Sequence, residues 1–401
     1  MKNIPLINRF TKNNTVPFKQ MYLHEDIEGK HEWSIEDQRK DDPRITFLEE
    51  RISALEGGKA AFSVKSLRAA RKVLFDILLR SGDNIIVYNS ENFSKSERAK
   101  LLRAGIEIRV LNGMDVCSFI TLQNERTKAI YVETIDSETG DVADLKKIGA
   151  YAKAFNVPLI VDNTAGVAGY FSKPISYGAN IVITSTKRWL HSYRSIVGAL
   201  IIDAGNYDWT NELFSDNFVF YKSEKNAYTK TKRVEGFSLI HLLRNKSNID
   251  FNKYQIPQNS LQLIKDIENI YSSAKVQAKQ ANQFALWLSQ MPSIKKVIFP
   301  GLKHTDNFKK ANLFLTNGFG HDILFSFSNE ILDSVLVHDM KSTVYKDYIN
   351  YNAVRHHVTI HIPVQDREAF IECIKEKIYS YTNKKETVYN FFRLDLLSGA
   401  F

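Results

Sequence analysis

Between Ala60 and Asp203 the chain alternates short apolar runs with longer segments of helical period. AAFSV, NIIVY, IEIRVL, KAIYVET, VPLIVD, ANIVIT and VGALIID are rich in Val, Ile and other strand formers, and each is bounded by polar or turn-forming residues, so each reads as a buried strand. Between them lie SLRAARKVLFDILLRSGD, SKSERAKLLRAG and DLKKIGAYAKAFN. In the first of these, Leu67, Ala70, Leu74, Ile77 and Leu78 make an apolar stripe, Ser66 is placed as the N-cap and Gly82 as the stop. Strands that alternate with helices of about 12 residues predict βαβ crossovers and a mostly parallel sheet, an α/β fold.

An open parallel sheet presents its functional groups beyond the carboxyl ends of its strands. Two of the predicted strands end in chemistry. VPLIVD closes on Asp162, and ANIVIT runs into Thr184, Ser185, Thr186 and Lys187. Neighbouring strands would bring this carboxylate and this amine to one rim. That is the pair a pyridoxal phosphate enzyme needs: a lysine to form the Schiff base and an acid to keep the pyridine nitrogen protonated. The turn after AAFSV, where a strand passes into a helix start, is a ready anion site because the first backbone N–H groups of a helix are unpaired.

The chain has 401 residues, enough for a large domain and a smaller partner. A large domain is expected over residues 46–240 and a smaller α+β domain over 250–401, where KKVIFPGL, DILFSFSN and VTIHIPV read as strands and REAFIECIKEKIYSYTNK as an amphipathic helix. Residues 1–45 lack periodicity and form an arm, either disordered or laid across a partner subunit. NYDWTNELFSDNFVFYKSEKNAYTKTKR is aromatic and irregular, as a loop over a site would be. The N-terminus has no apolar core of a secretory signal, no run is long enough for a membrane span, and Cys117 and Cys373 stand far apart, so a cytoplasmic protein without disulfides is expected. The net charge is +9, but the basic residues are dispersed, which favours a solvated surface or an anionic ligand over nucleic acid. His356, His357 and His361 do not make a metal site: strand alternation turns His356 away from the other two, and no carboxylate or cysteine completes a set.

Five blocks, in order and spacing, resemble the Cys/Met-metabolism group of pyridoxal-phosphate enzymes, which includes cystathionine γ-synthase, methionine γ-lyase and the O-acetylhomoserine sulfhydrylases. They are LEERISALEGGKAAFS, YVETIDSETGDVADLKKIGAYAKAFNVPLIVDNT, YGANIVITSTK, WLSQMPSIKKVIFPGL and NAVRHHVTIHIPVQDREAFIECI. The resemblance implies a fold-type-I, aminotransferase-like architecture active as a homodimer or homotetramer on an amino-acid substrate. It implies Lys187 as the Schiff-base lysine, Asp162 as the partner of the pyridine nitrogen, and Thr184 and Thr186 as phosphate contacts. It places Arg355 on the substrate α-carboxylate and Arg39 on the phosphate of the neighbouring subunit. The implied activity is β/γ-elimination or replacement, with aminotransfer, racemisation or a catalytically silent binding role as the alternatives.

The departures fall in the shell around this core. The phosphate loop reads Ser63-Val64-Lys65-Ser66-Leu67 without the family's glycine, so Lys65 can supply charge in place of backbone donors. The ring-stacking tyrosine aligns with Asn92, and Phe93 can stack after a one-residue shift; the neighbour's tyrosine aligns with Asp37. Cofactor machinery is kept while the substrate shell differs.

Overall fold

The computed structural model describes residues 43–88, 93–111, 116–186, 198–209, 211–214, 238–245, 264, 266–303 and 305–383. The expected arm before residue 43 and most of the aromatic segment after 214 lie outside them.

The seven predicted strands form one sheet. They are β1 (Ala60–Val64), β2 (Asn84–Val87), β3 (Glu107–Val110), β4 (Thr127–Glu133), β5 (Leu159–Asp162), β6 (Ile181–Ser185) and β7 (Ala199–Asp203), in the order β1-β7-β6-β5-β4-β2-β3. Pairing is parallel from β3 through β6, and β7 runs antiparallel to both its neighbours. The sheet is therefore mostly parallel, and its inner strands β2, β5 and β6 are buried on both faces and read as near-continuous apolar runs, whereas the edge strand β3 is partly exposed and alternates Glu-Ile-Arg-Val. One face packs against α1 (Pro43–Glu56) through Leu48, Ile52 and Leu55. The other packs against α2 (Leu67–Leu78) through Ala70, Val73, Leu74 and Ile77. The Ser66 hydroxyl accepts the Ala69 N–H at 3.1 Å, the cap the sequence predicts. The helix itself ends at Leu78, four residues before Gly82.

α3 (Lys95–Arg103) and α5 (Leu145–Ala154) also lie where their period places them; α4 (Val116–Leu122) is a short apolar helix that periodicity alone does not separate from a strand. After α6 (Ser238–Asn245), the long helix α7 (Ile270–Ser289) leads into a second sheet. The regular helix starts later than its sequence pattern does, because Asn269 sits outside helical geometry.

The second sheet holds β8 (Ile294–Ile298), β9 (Asp322–Phe327), β10 (Ile349–Asn352) and β11 (His357–His361) in the order β10-β11-β9-β8, all antiparallel. It packs with α7, α9 (Ile331–Lys341) and α10 (Arg367–Asn383) around Phe284, Phe325, Leu336 and Phe370, while α8 (Asp306–Phe314) turns its Ala311 and Phe314 to the first sheet's core. No helix among the described residues is long and apolar enough to cross a membrane.

Candidate active site

The registers align the chemistry along one rim. Asp162 pairs in register with Ile183, and Thr184 faces Leu200, which faces Ser63. Asp162, Thr184 and Ser63 thus stand at one level, where β5 and β6 end and where β1 passes into the N-terminus of α2. Alternation puts Asp162 on the α2 face with Ile160 and Thr184 on the opposite face with Val182, so the two reach the rim from either side of the sheet.

Asp162 is 3% exposed. Its Oδ1 accepts the Thr164 N–H at 3.0 Å and the Thr164 hydroxyl at 2.6 Å, and its Oδ2 accepts the Tyr131 hydroxyl at 3.1 Å. The Thr164 hydroxyl also accepts the Ser185 N–H at 3.0 Å, which ties the end of β6 to the turn after β5. A buried carboxylate needs such donors to stay ionised. Oδ1 already accepts two hydrogen bonds and Oδ2 only one, so Oδ2 can still receive one protonated ring nitrogen.

The neighbouring Asn163 holds the turn from below. Its side-chain amide donates to Glu56 Oε2 at 2.8 Å and to the Ser172 carbonyl at 2.9 Å, and its Oδ1 accepts the Thr134 hydroxyl at 2.7 Å. Glu56 is wholly buried, and burial pushes its carboxyl up to about 8.

The other expected site residues divide. The Thr184 hydroxyl is buried with no hydrogen-bond partner among the described residues, as a donor reserved for a ligand would be. The Thr186 hydroxyl is engaged with Gly198, donating to its carbonyl at 3.0 Å and accepting its N–H at 2.7 Å. Both the N–H and the hydroxyl of Ser63 donate to Glu49, at 2.7 and 3.0 Å. Lys65 is exposed beside the start of α2, and Ser66 caps that helix. Phe93 is buried with its ring 5.0 Å from that of Tyr131 and 6.0 Å from that of Phe75. Arg355 sits exposed in the turn between β10 and β11, its N–H donating to Asn352 Oδ1 at 3.0 Å. The same Asn352 donates to Glu138 at 2.5 Å, which fastens that turn to the loop after β4. Lys187 and Arg39 lie outside the described residues; Lys187 directly follows Thr186 at the end of β6. A separate cavity of about 620 Å³, lined in part by Arg51, Tyr170, Lys173 and Tyr271, contains none of the expected site residues.

Three residues that the sequence reading does not single out complete the surroundings of Asp162: Tyr131 on β4, Arg71 on α2 and Glu97 on α3. A signal for Arg71 exists. It stands four residues after Leu67, three before Leu74 and seven before Leu78, so a basic residue occupies the core stripe of an amphipathic helix.

The residues present fit pyridoxal phosphate: a buried carboxylate with a spare acceptor direction, a buried hydroxyl one strand away that has no partner among the described residues, and a helix N-terminus at the same rim. Comparison with known proteins agrees. The model for "Cys/Met metabolism PLP-dependent enzyme" matches residues 12–355. Homocysteine/cysteine synthase of Saccharomyces cerevisiae is 33% identical over 292 residues, 72% of this chain and 65% of that protein. O-acetyl-L-homoserine sulfhydrylase 1 of Thermus thermophilus is 28% identical over 71% of this chain and 68% of that protein. The chain thus spans just under two thirds of the yeast relative's length. Among solved structures, O-acetylhomoserine sulfhydrylase of Wolinella succinogenes shares the fold with a TM-score of 0.68, 21% identity and coverage of 84% of this chain and 96% of that one. A protein of Campylobacter jejuni, assigned as an O-acetylhomoserine (thiol)-lyase and carrying a pyridoxyl-lysine phosphate, gives a TM-score of 0.70 at 21% identity over 85% of this chain and 87% of that one. The chain belongs to the Cys/Met metabolism family of PLP-dependent enzymes.

Proposed function

We propose that this chain catalyses elimination or replacement at the β or γ carbon of an amino acid, of the sulfur amino acid or O-acylhomoserine type. The observation that carries the reading is Asp162, buried at the end of β5 with three donors on its carboxylate and the Lys187 strand beside it. When bound, pyridoxal phosphate supplies an electron sink for breaking bonds at the α carbon of an amino acid. Asp162 would pair with the ring nitrogen. Lys187 would hold the cofactor through its amine and would serve as the base that removes and returns a proton at the substrate α carbon. Thr184, Lys65, Ser66 and the first N–H groups of α2 would hold the phosphate, Thr186, whose hydroxyl hydrogen goes to Gly198, would brace that turn rather than donate to it, and Arg39 would reach the phosphate from a second subunit of a homodimer or homotetramer. Ser63 shapes that loop through Glu49, and Phe93 closes the ring side. Arg355 takes the substrate carboxylate as a bidentate partner. Such an enzyme acts in the cytoplasm on small molecules.

The names of the relatives guide the substrate test. The purified chain is supplied with O-acetylhomoserine and sulfide, and separately with amino acids bearing thiol leaving groups, while homocysteine, keto acid, ammonia and free thiol are followed. Formation of homocysteine, or release of keto acid with thiol, is expected. Amino-group exchange with a keto acid in the absence of these products would overturn the reading in favour of aminotransfer.

A further inference from the structure

Behind Asp162 the hydrogen bonds continue away from the rim. The Tyr131 hydroxyl, which donates to Asp162 Oδ2, lies 3.4 Å from Arg71 Nη1. A guanidinium only donates, so the tyrosine oxygen must accept from Arg71, and its one hydrogen is committed to Asp162. Arg71 is itself fixed. Glu97 receives its Nε at 3.1 Å and its Nη2 at 2.9 Å, and the Phe93 ring centre lies 5.1 Å from the guanidinium carbon. Glu97 is anchored in turn by the capping box it forms with Ser94. Burial alone would lower the proton affinity of Arg71, but Tyr131 and Glu97 reverse that and hold it protonated more firmly than usual. Three elements, α2, α3 and β4, therefore converge on one carboxylate oxygen. A buried ion pair adds little net stability compared with well-packed apolar side chains, so the cost of this arrangement calls for another return.

We propose that Arg71, acting through Tyr131, is a positioning residue that weakens the basicity of Asp162 and so keeps the proton it shares with the cofactor on the ring nitrogen. Only one proton lies between the carboxylate and the pyridine nitrogen, and it resides on the stronger base. Each donor to the carboxylate disperses its charge and makes it the weaker base of the two. Removing the Tyr131 hydroxyl, or the cation that orients it, returns basicity to Asp162 and draws the proton off the ring. The transfer moves one proton from nitrogen to oxygen and needs no further reactant. Neither Arg71 nor Tyr131 touches the reacting atoms; both act through Asp162.

The inference rests on the cofactor reading above, and one experiment separates the two. The full chain is reconstituted with pyridoxal phosphate carrying ¹⁵N in its ring, and the ring-nitrogen chemical shift is recorded for the parent, Tyr131→Phe, Arg71→Lys and the double variant Arg71→Met/Glu97→Gln. The double variant removes both charges of the Arg71–Glu97 pair together, so that neither is left unpaired to unfold it, and Tyr131→Phe keeps the packing of the ring. In the parent the shift is that of a protonated ring. In Tyr131→Phe and the double variant the ratio of ring-protonated to acid-protonated form falls about tenfold, equivalent to one pKa unit, and the shift moves toward the neutral ring; Arg71→Lys restores most of the difference. A parent that takes up no cofactor overturns the cofactor reading itself. A loaded parent whose ring shift is unchanged in cofactor-loaded Tyr131→Phe and double variants overturns the role of Arg71 and Tyr131.

Discussion

Glu56 shows how one residue ties the site to the stability of the chain. It is buried, its Oε2 accepts from Asn163, and burial lifts its carboxyl to about 8; burial likewise lifts Asp203 to about 7. Both groups are acids whose proton affinity is higher folded than unfolded. Between their unfolded values and these folded values the native state holds protons that the unfolded chain has released. Stability from these groups is therefore fully present at low pH and is lost as pH rises to about 8, with a slope of up to about 1.4 kcal/mol per pH unit for each. Glu56→Gln keeps the shape and the acceptor while removing one titration. Urea unfolding at several pH values between about 5 and 8 is expected to show a shallower fall for this variant; an unchanged slope would contradict the buried neutral acid. At this scale the sequence shows what sits at strand ends. Asp162, Thr184 and Lys187 stand out because each follows a Val/Ile run. Tyr131 and Glu97 do not, and Arg71 shows only as a base in an apolar stripe, because their meeting depends on how two helices pack over one strand. Arg71 and Tyr131 are 60 residues apart in the chain, and Arg71 and Glu97 are 26 apart.

Two elements set the rim, and each hangs on a local feature. Helix α2 starts at Ser66, whose hydroxyl satisfies the Ala69 N–H. Ser66→Ala should cost about 1 kcal/mol in stability and weaken uptake of pyridoxal phosphate, measured by denaturant midpoint and by titration of cofactor absorbance; no change in either would remove Ser66 from the phosphate cradle. The segment after Asp162 turns through Gly169 at φ +78°, where an added Cβ would lie 2.4 Å from the Leu55 carbonyl oxygen at the end of α1. Both the positive φ and the backbone contact forbid a side chain. Gly169→Ala should therefore destabilise by at least about 1 kcal/mol, seen as a lower midpoint with the same denaturant slope. The inner strands of the large sheet were legible because burial on both faces leaves an apolar run, and the exposed edge strand β3 because its Ile and Val alternate with charged residues. β10, INYN, was not: it is a four-residue edge strand with only Ile349 and the half-buried Tyr351 toward the core, and its pairing with β11 supplies what its composition lacks. Asn269 shortens α7 for a reason of backbone geometry that hydrophobic spacing does not carry.

In the whole molecule, side chains of the second sheet and of α8 grip the loop that follows β4. Asn307 accepts the Val142 N–H and donates to the Gly140 carbonyl, both at 2.7 Å, and Asn352 donates to Glu138. The Asn352 contact fixes the turn carrying Arg355 to the loop that follows β4. Asn307→Ala strands one backbone donor and one acceptor and should destabilise by about 1–3 kcal/mol; Asn352→Ala, which frees the turn from Glu138, should raise the KM for an amino acid under the proposed role of Arg355, while an unchanged KM would separate that turn from substrate binding. The α/β class and the resemblance to the family could both be read from the order of the blocks, whereas these long-range ties could not. The central claim is that Lys187 carries the cofactor at this rim. It is tested most directly by adding pyridoxal phosphate, reducing with borohydride, and mapping the modified peptide by mass spectrometry. The account predicts a yellow protein that gives one pyridoxyl group on Lys187, absent in Lys187→Ala. A colourless protein, or a pyridoxyl group fixed at other lysines with Lys187 unmodified, would contradict it.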